Sequence, residues 1–210
     1  MASTPPKPKI TRELLPAKTH LGVLVMVAEI GTVETEWKGE KKYPYKVLLS
    51  FDFPKQRMDY EKDGVTKNVP RRKTSRVTFS YHEKSTLGQW LKNWIGEAPS
   101  NDFDLFSLLG TSAMITISHD AGKDGTVWDN ISNVTQLIDG IEPIAAECDL
   151  MRYSFIEHKM DIPDNIPDWV VEKIQESPEW EKLARYSGKQ EPDPTEPDDL
   201  SGLEDDDIPF

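Results

Sequence analysis

The sequence predicts a mainly β fold: a five-stranded barrel with one helix between strands three and four, then a helical extension and a disordered acidic tail. Three observations lead there. Apolar and polar residues alternate over short stretches bounded by Gly, Pro and Asp, most clearly at Val47, Leu49, Phe51 and Phe53. One helical repeat, Leu87, Trp90, Leu91, Trp94 and Ile95, interrupts the series after its third member. From Gly188 the run GKQEPDPTEPDDLSGLEDDDIPF has too few apolar residues to fold.

Residues 1–16 hold Pro5, Pro6, Pro8 and Pro16 and read as a flexible N-terminal arm. His20 to Thr32 is the first strand, with Leu21, Val23, Val25 and Val27 on one face and Leu24 and Met26 on the other. Gly22 marks a bend in it and Gly31 ends it. Trp37 to Lys42 reads as an exposed hairpin loop. Tyr43 to Phe53 is the second strand, stopped by Pro54. Residues 55–72 form a long polar loop that turns at Asp63-Gly64. Strand three is Lys73 to Tyr81, with Val77, Phe79 and Tyr81 inward and Arg76, Thr78 and Ser80 outward.

Ser85 is the expected N-cap of the helix and Gly96 its C-terminal stop. A short helical turn covers Phe103 to Leu109. Ala113 to Ser118 and Thr126 to Leu137 are strands four and five, joined by Gly122-Lys123-Asp124-Gly125. Residues 139–166 are acidic and irregular. Two short helices follow, with Pro167 and Pro178 at their first positions, where the missing N–H costs nothing. Three strands, a helix and two strands is the order of the OB-fold, a Greek-key barrel often used for oligonucleotides; a sandwich of similar size is the competitor. The domains are a 1–16 arm, a 17–140 barrel, a 141–187 extension packed on it and a 188–210 tail.

The chain has 210 residues, a formal net charge of −12 and a single cysteine, Cys148. A lone cysteine excludes internal disulfides and fits a reducing setting. No apolar run approaches the roughly 20 residues of a membrane helix, and the N-terminus lacks the apolar stretch of a signal peptide. Net charge conceals a local one. Residues 38–92 carry 14 Lys and Arg against 6 Asp and Glu, whereas residues 188–210 carry 1 against 9. A basic block inside an acidic protein is an electrostatic footprint for a polyanion.

A sequence-neutral single-strand binder needs cations to follow phosphates and flat side chains for bases to stack on. The basic block interleaves both. Trp37, Tyr43 and Tyr45 stand beside Lys38, Lys41, Lys42 and Lys46, and Arg71, Arg72, Lys73 and Arg76 follow. These eleven residues are the candidate single-stranded DNA site. For Tyr43 and Tyr45 burial and binding stand even, because they share the parity of Val47 and Phe51. Tyr81, Trp90 and Trp94 read as core.

Two resemblances sharpen this. The final six residues, Asp205-Asp206-Asp207-Ile208-Pro209-Phe210, resemble the C-terminal tip of bacterial single-stranded DNA-binding proteins. That likeness implies capture of replication, repair or recombination proteins by those six residues. Lys46-Val47-Leu48-Leu49-Ser50-Phe51-Asp52-Phe53, His82-Glu83-Lys84-Ser85, Asp104-Leu105-Phe106-Ser107-Leu108-Leu109-Gly110 and Ile174-Gln175-Glu176-Ser177-Pro178-Glu179-Trp180 resemble phage-encoded single-stranded DNA-binding proteins of the OB-fold type. The likeness runs from about residue 17 to 186. It implies a non-enzymatic protein that coats transient single strands in the cytoplasm of an infected bacterial host. It further implies no cofactor, no membrane, and a monomer or small homo-oligomer, with cooperativity on DNA left open. One departure is Leu48, where relatives often carry an aromatic on the exposed face.

Other classes stay open as alternatives. One is an interaction protein that captures host enzymes through the tip without binding DNA. Another is a metal-dependent DNA-processing enzyme, although His20, His82, His119 and His158 show no ligand spacing and no nucleophile turn is evident.

Overall fold

A computed structural model describes residues 13–62, 64–122 and 125–187. The expected acidic tail and its tip, Asp205 to Phe210, lie outside the described residues, as do residues 1–12, Asp63, Lys123 and Asp124.

The architecture is mainly β, a curled antiparallel half-barrel with three helices. Its strands are β1 (Thr19–Thr32), β2 (Thr35–Trp37), β3 (Glu40–Lys42), β4 (Tyr45–Lys62), β5 (Val65–Thr78), β6 (Ser112–Ala121), β7 (Val127–Thr135) and β8 (Met151–Tyr153). The helices are α1 (Thr86–Ile95), α2 (Asp168–Gln175) and α3 (Pro178–Ser187). The main sheet runs β5-β4-β1-β6-β7, and β8 adds to β1 in parallel. β2 and β3 form a separate small hairpin, turned at Lys38 and Gly39, whose φ angles of 53° and 80° match the strand twist.

β1 is central because it is covered on both faces and along both edges. β4 pairs with one edge; β6 takes the other as far as Val23, and β8 takes it from Met26 to Ala28. An apolar run from Val23 to Ala28 is what such a strand requires. Strict alternation along it fails at one place. A register shift between Leu24 and Met26 changes the parity, so Leu24 and Val27 enter the barrel core while Val23, Val25, Met26, Ala28 and Ile30 pack outside it. The expected common face of Val23, Val25 and Val27 is therefore split by a bulge.

On β4 the expected inward set holds: Val47, Leu49, Phe51 and Phe53 are all in the barrel core. Pro54 does not stop the strand. It falls in an irregularity between Phe53 and Arg57, where the pairing partners Arg71 and Pro70 are adjacent, so its missing N–H is lost from a bulge and not from a ladder. The expected loop 55–72 is instead a projecting two-stranded ribbon, paired from Arg57↔Pro70 to Lys62↔Val65 and turned at Gly64 with φ 75°. Its polar composition reads as loop because, beyond the bulge, Met58, Asp59, Glu61, Val65, Thr66, Lys67 and Asn68 are all exposed.

α1 begins where expected. The Ser85 side chain accepts from the Gly88 N–H at 2.9 Å, and Gly96 ends the helix with φ 87°. Trp90 and Trp94 enter the core, donating to the carbonyls of Ser132 and Ser112. Beyond β7 the chain returns over the outer face. Met151, Tyr153, Phe155, Ile166, Val170 and Ile174 bury Leu48, Met26 and Ala28 in a second core. Residues 141–187 are thus packed on the sheet through a hydrophobic core of their own. Glu179 fastens α3 by accepting from the N–H and hydroxyl of Thr32 at 2.8 and 2.7 Å.

Candidate nucleic-acid interface

β5 and β7 are the two ends of the curled sheet, and no backbone ladder joins them. A buried ion pair spans the seam. Lys73 shares the inward parity of Val77, Asp129 shares that of Ile131, and Lys73 Nζ donates to Asp129 Oδ1 at 2.7 Å. The other carboxylate oxygen accepts from the Leu15 N–H at 3.1 Å, and Leu15 is itself in the core. Arg71 donates to the Leu14 carbonyl and pairs with Glu13, while His119 meets the Leu15 carbonyl at 2.7 Å. The arm is held from Glu13 onward.

Outside that pair the seam opens into a groove of about 380 Å³. Lys46, Thr74, Ser75, Arg76 and Thr78 line one wall, Asn130 and Ile131 of β7 the other, and Thr86 and Trp90 of α1 close it. Lys46 Nζ donates to Thr78 Oγ1 at 2.9 Å. Burial first, and then the charge of Arg76, lower the Lys46 pKa below the ordinary lysine value. No acid forms an ion pair with either cation among the described residues. Two like charges are therefore held at a half-buried wall rich in hydroxyl and amide donors. An anion placed there relieves the repulsion between the two cations, while the Asn130 amide is already taken by Asp120 and the Thr74 hydroxyl by Ser50.

The remaining candidate residues divide sharply. Arg71 and Lys73 are buried and committed to Glu13 and Asp129, so they build the seam and are not presented to solvent. Arg72 faces the other way but grips the buried Asp52 with two bonds of 2.6 and 2.9 Å and reaches Cys148 at 3.0 Å. Hydrogen bonding to Asp52 raises its pKa, and burial raises that of the Cys148 thiol. Lys41 pairs with Glu34, and Lys38 and Lys42 are exposed on the β2–β3 hairpin. Outside the candidate set, Arg57 of the ribbon takes Glu147. Glu13, Glu34, Asp129 and Glu147 all come from outside the basic block, so the field over residues 38–92 is weaker than the sequence count implies.

The aromatics also separate. Tyr43 is 60% exposed and donates to Glu34, whose charge raises its pKa. Tyr45 is half-buried, its hydroxyl bound to Glu29 at 2.6 Å; burial, then that bond, push its pKa far above the usual tyrosine value. The Trp37 side chain is outside the described residues. Leu48 is 3% exposed beneath the extension, so it does not stand on an exposed face. Sequence reasoning missed Trp128, 47% exposed on β7 and on the same face as Asn130 of the groove. Its signal was parity: Trp128 and Asn130 alternate with inward Asp129 and Ile131.

Among the described residues no three His, Cys, Asp or Glu converge as a metal site, and no helix is long and apolar enough to cross a membrane. No protein-family model, curated protein or solved structure matches the chain.

Proposed function

We propose that this protein binds single-stranded DNA along the β5–β7 seam and recruits replication, repair or recombination enzymes through Asp205 to Phe210. The observation that carries the reading is the Lys46–Arg76 pair, two cations that line one hydroxyl-bearing groove and form no ion pair among the described residues. Trp128, exposed on β7 two residues before Asn130 and on the same face, adds a flat surface on that strand. A phosphate chain satisfies the cations, and stacking on exposed tryptophan asks for no particular base. The long strands in the order β5-β4-β1-β6-β7, with α1 between β5 and β6 in the chain, support an OB-fold type of barrel whose first strand touches the second and fourth. The reading extends to a phage protein that coats transient single strands in a bacterial host. Its seam holds a sugar–phosphate chain, not a reacting bond.

The test is a salt titration by fluorescence anisotropy, comparing labelled oligo-dT with duplex of equal length. Single strands should bind more tightly, with affinity falling steeply as salt rises. Arg76→Ala should weaken binding about tenfold at low salt and reduce the salt slope by about 0.7, the counterion released per single-strand phosphate. Wild-type protein that fails to bind either oligonucleotide at low salt overturns the reading and favours a protein acting through its tip alone.

A further inference from the structure

Past Thr78 the chain leaves β5 and runs through Phe79, Ser80, Tyr81 and His82, which with Asn101 line a separate, open cavity of about 450 Å³. Its volume lies within the roughly 300–1,000 Å³ of ordinary small-ligand sites. The rings around it are fixed in place. Phe103, Tyr81 and Phe79 stand edge to face, with centroids 6.0 and 5.7 Å apart and planes at 81° in both pairs. Tyr45 continues the row at 6.1 Å from Phe79. The Tyr81 hydroxyl donates to the Phe103 carbonyl at 2.8 Å, and burial, then the charge of Asp104, push its pKa up to about 12, so it stays protonated.

The polar fringe is equally determined. Ser85 Oγ bonds the carbonyls of Ser80 and His82, and the His82 N–H donates to Ser80 Oγ. His82 Nδ1 accepts the Lys84 N–H at 3.1 Å, which leaves Nε2–H as the donor on an exposed ring. Asn101, also exposed, supplies an amide with both a donor and an acceptor. Close packing preserves this turn: a Cβ on Gly88 would lie 2.3 Å from the His82 carbonyl oxygen.

Half-buried aromatic walls held rigid, beside one ring N–H and one amide, suit a planar heterocycle with acceptors on its edge. We propose that the Phe79–Tyr81–His82–Asn101 cavity is a nucleobase subsite, taking a base of the same single strand whose phosphates meet Arg76. The inference rests on the DNA-binding reading. It is consistent with chain geometry, because Phe79 is three residues beyond Arg76 on an extended segment, about 10 Å away. Here the strand gains contacts to base edges, so binding acquires a base preference that phosphate contacts do not give.

An oligo-dT and an abasic oligonucleotide of the same length carry the same phosphates and separate the two contributions. Wild-type protein should bind oligo-dT about tenfold more tightly than the abasic strand, as expected for a lost stack. Tyr81→Leu should narrow that gap while leaving the salt slope unchanged, and His82→Ala with Asn101→Ala should do so at exposed positions that do not threaten the fold. In wild-type protein the His82 ring resonance, assigned by its loss in His82→Gln, should shift with oligo-dT and stay still with the abasic strand. A gap unchanged in the His82/Asn101 variant, or a His82 signal that oligo-dT does not move, overturns the subsite while the groove stands. Failure of wild-type protein to bind either strand overturns the groove and the subsite together.

Discussion

Arg72 and Arg76 lie four residues apart on one face of β5 and do different work. Arg72 holds the carboxylate of Asp52, which is 3% exposed, whereas Arg76 lines the groove and also a cavity shared with Glu34 and Glu176, without an ion pair among the described residues. Replacing Arg72 by Ala leaves a buried carboxylate without its two strongest bonds, and stability should fall by roughly 1–3 kcal/mol. Lys73→Met should cost more, about 3–5 kcal/mol, because Asp129 and Lys73 are both buried. Urea unfolding checks both. Arg76→Ala should unfold at the wild-type midpoint; a midpoint shift as large as that of Arg72→Ala would show that Arg76 too is structural. A charge reversal at Arg72 is accordingly a poor probe of DNA binding. The pattern Arg71-Arg72-Lys73 looked like one basic cluster because density along the chain says nothing about which charges are already answered. Parity with Val77 marks Arg71 and Lys73 as inward, but their partners Glu13 and Asp129 are distant in sequence, and only the curled sheet brings them across.

Elements were legible where one face is buried and another is wet. The inward set of β4, the Ser85 cap, the Gly96 stop and the start of α3 at Pro178 follow from local chemistry alone, whereas Pro167 is the extended residue before α2 and not its first helical position. The outer half of the β4–β5 ribbon, exposed on both faces, carried no such signal, and three-residue β8 carried too little. What the extension does to the sheet was equally hidden, since Leu48 reads as outward until Tyr153 and Val170 cover it. The extension has a clamp that pH can release. Burial works to raise the Glu179 pKa, but the hydroxyl and N–H of Thr32 outweigh it and hold the carboxyl below the ordinary value. A group whose folded pKa is depressed stabilises fully above its unfolded pKa, about 4.3, and loses that contribution as pH falls through the folded value. Docking of α3 should therefore weaken below about pH 4. Glu179→Gln should lower the thermal midpoint at pH 7 and match wild type more closely near pH 3. An equal deficit at both pH values would mean that shape, not charge, holds the clamp.

Taken whole, the proposed function asks a polyanion to bind an anionic protein. Its net charge is −12, of which residues 188–210 supply −8, leaving −4 for residues 1–187. The groove offers Lys46 and Arg76, with further cations exposed on the hairpin at Lys38 and Lys42. Against so modest a positive surface, an appended −8 is a large opposing field at low ionic strength and a small one once the Debye length falls below about 8 Å. Deleting residues 188–210 should accordingly tighten oligo-dT binding severalfold at 20 mM salt, with the gain fading at roughly 0.3 M. Affinities that coincide at every salt concentration would show that the tail and DNA do not compete. The terminal hook separates from this effect by chemistry. Ile208→Ala with Phe210→Ala removes apolar surface and no charge, so it should leave the DNA titration where it was and abolish capture of replication enzymes by the tip. If the same pair of substitutions also tightens DNA binding, the hook itself occupies the groove, and the acids are not the competitor.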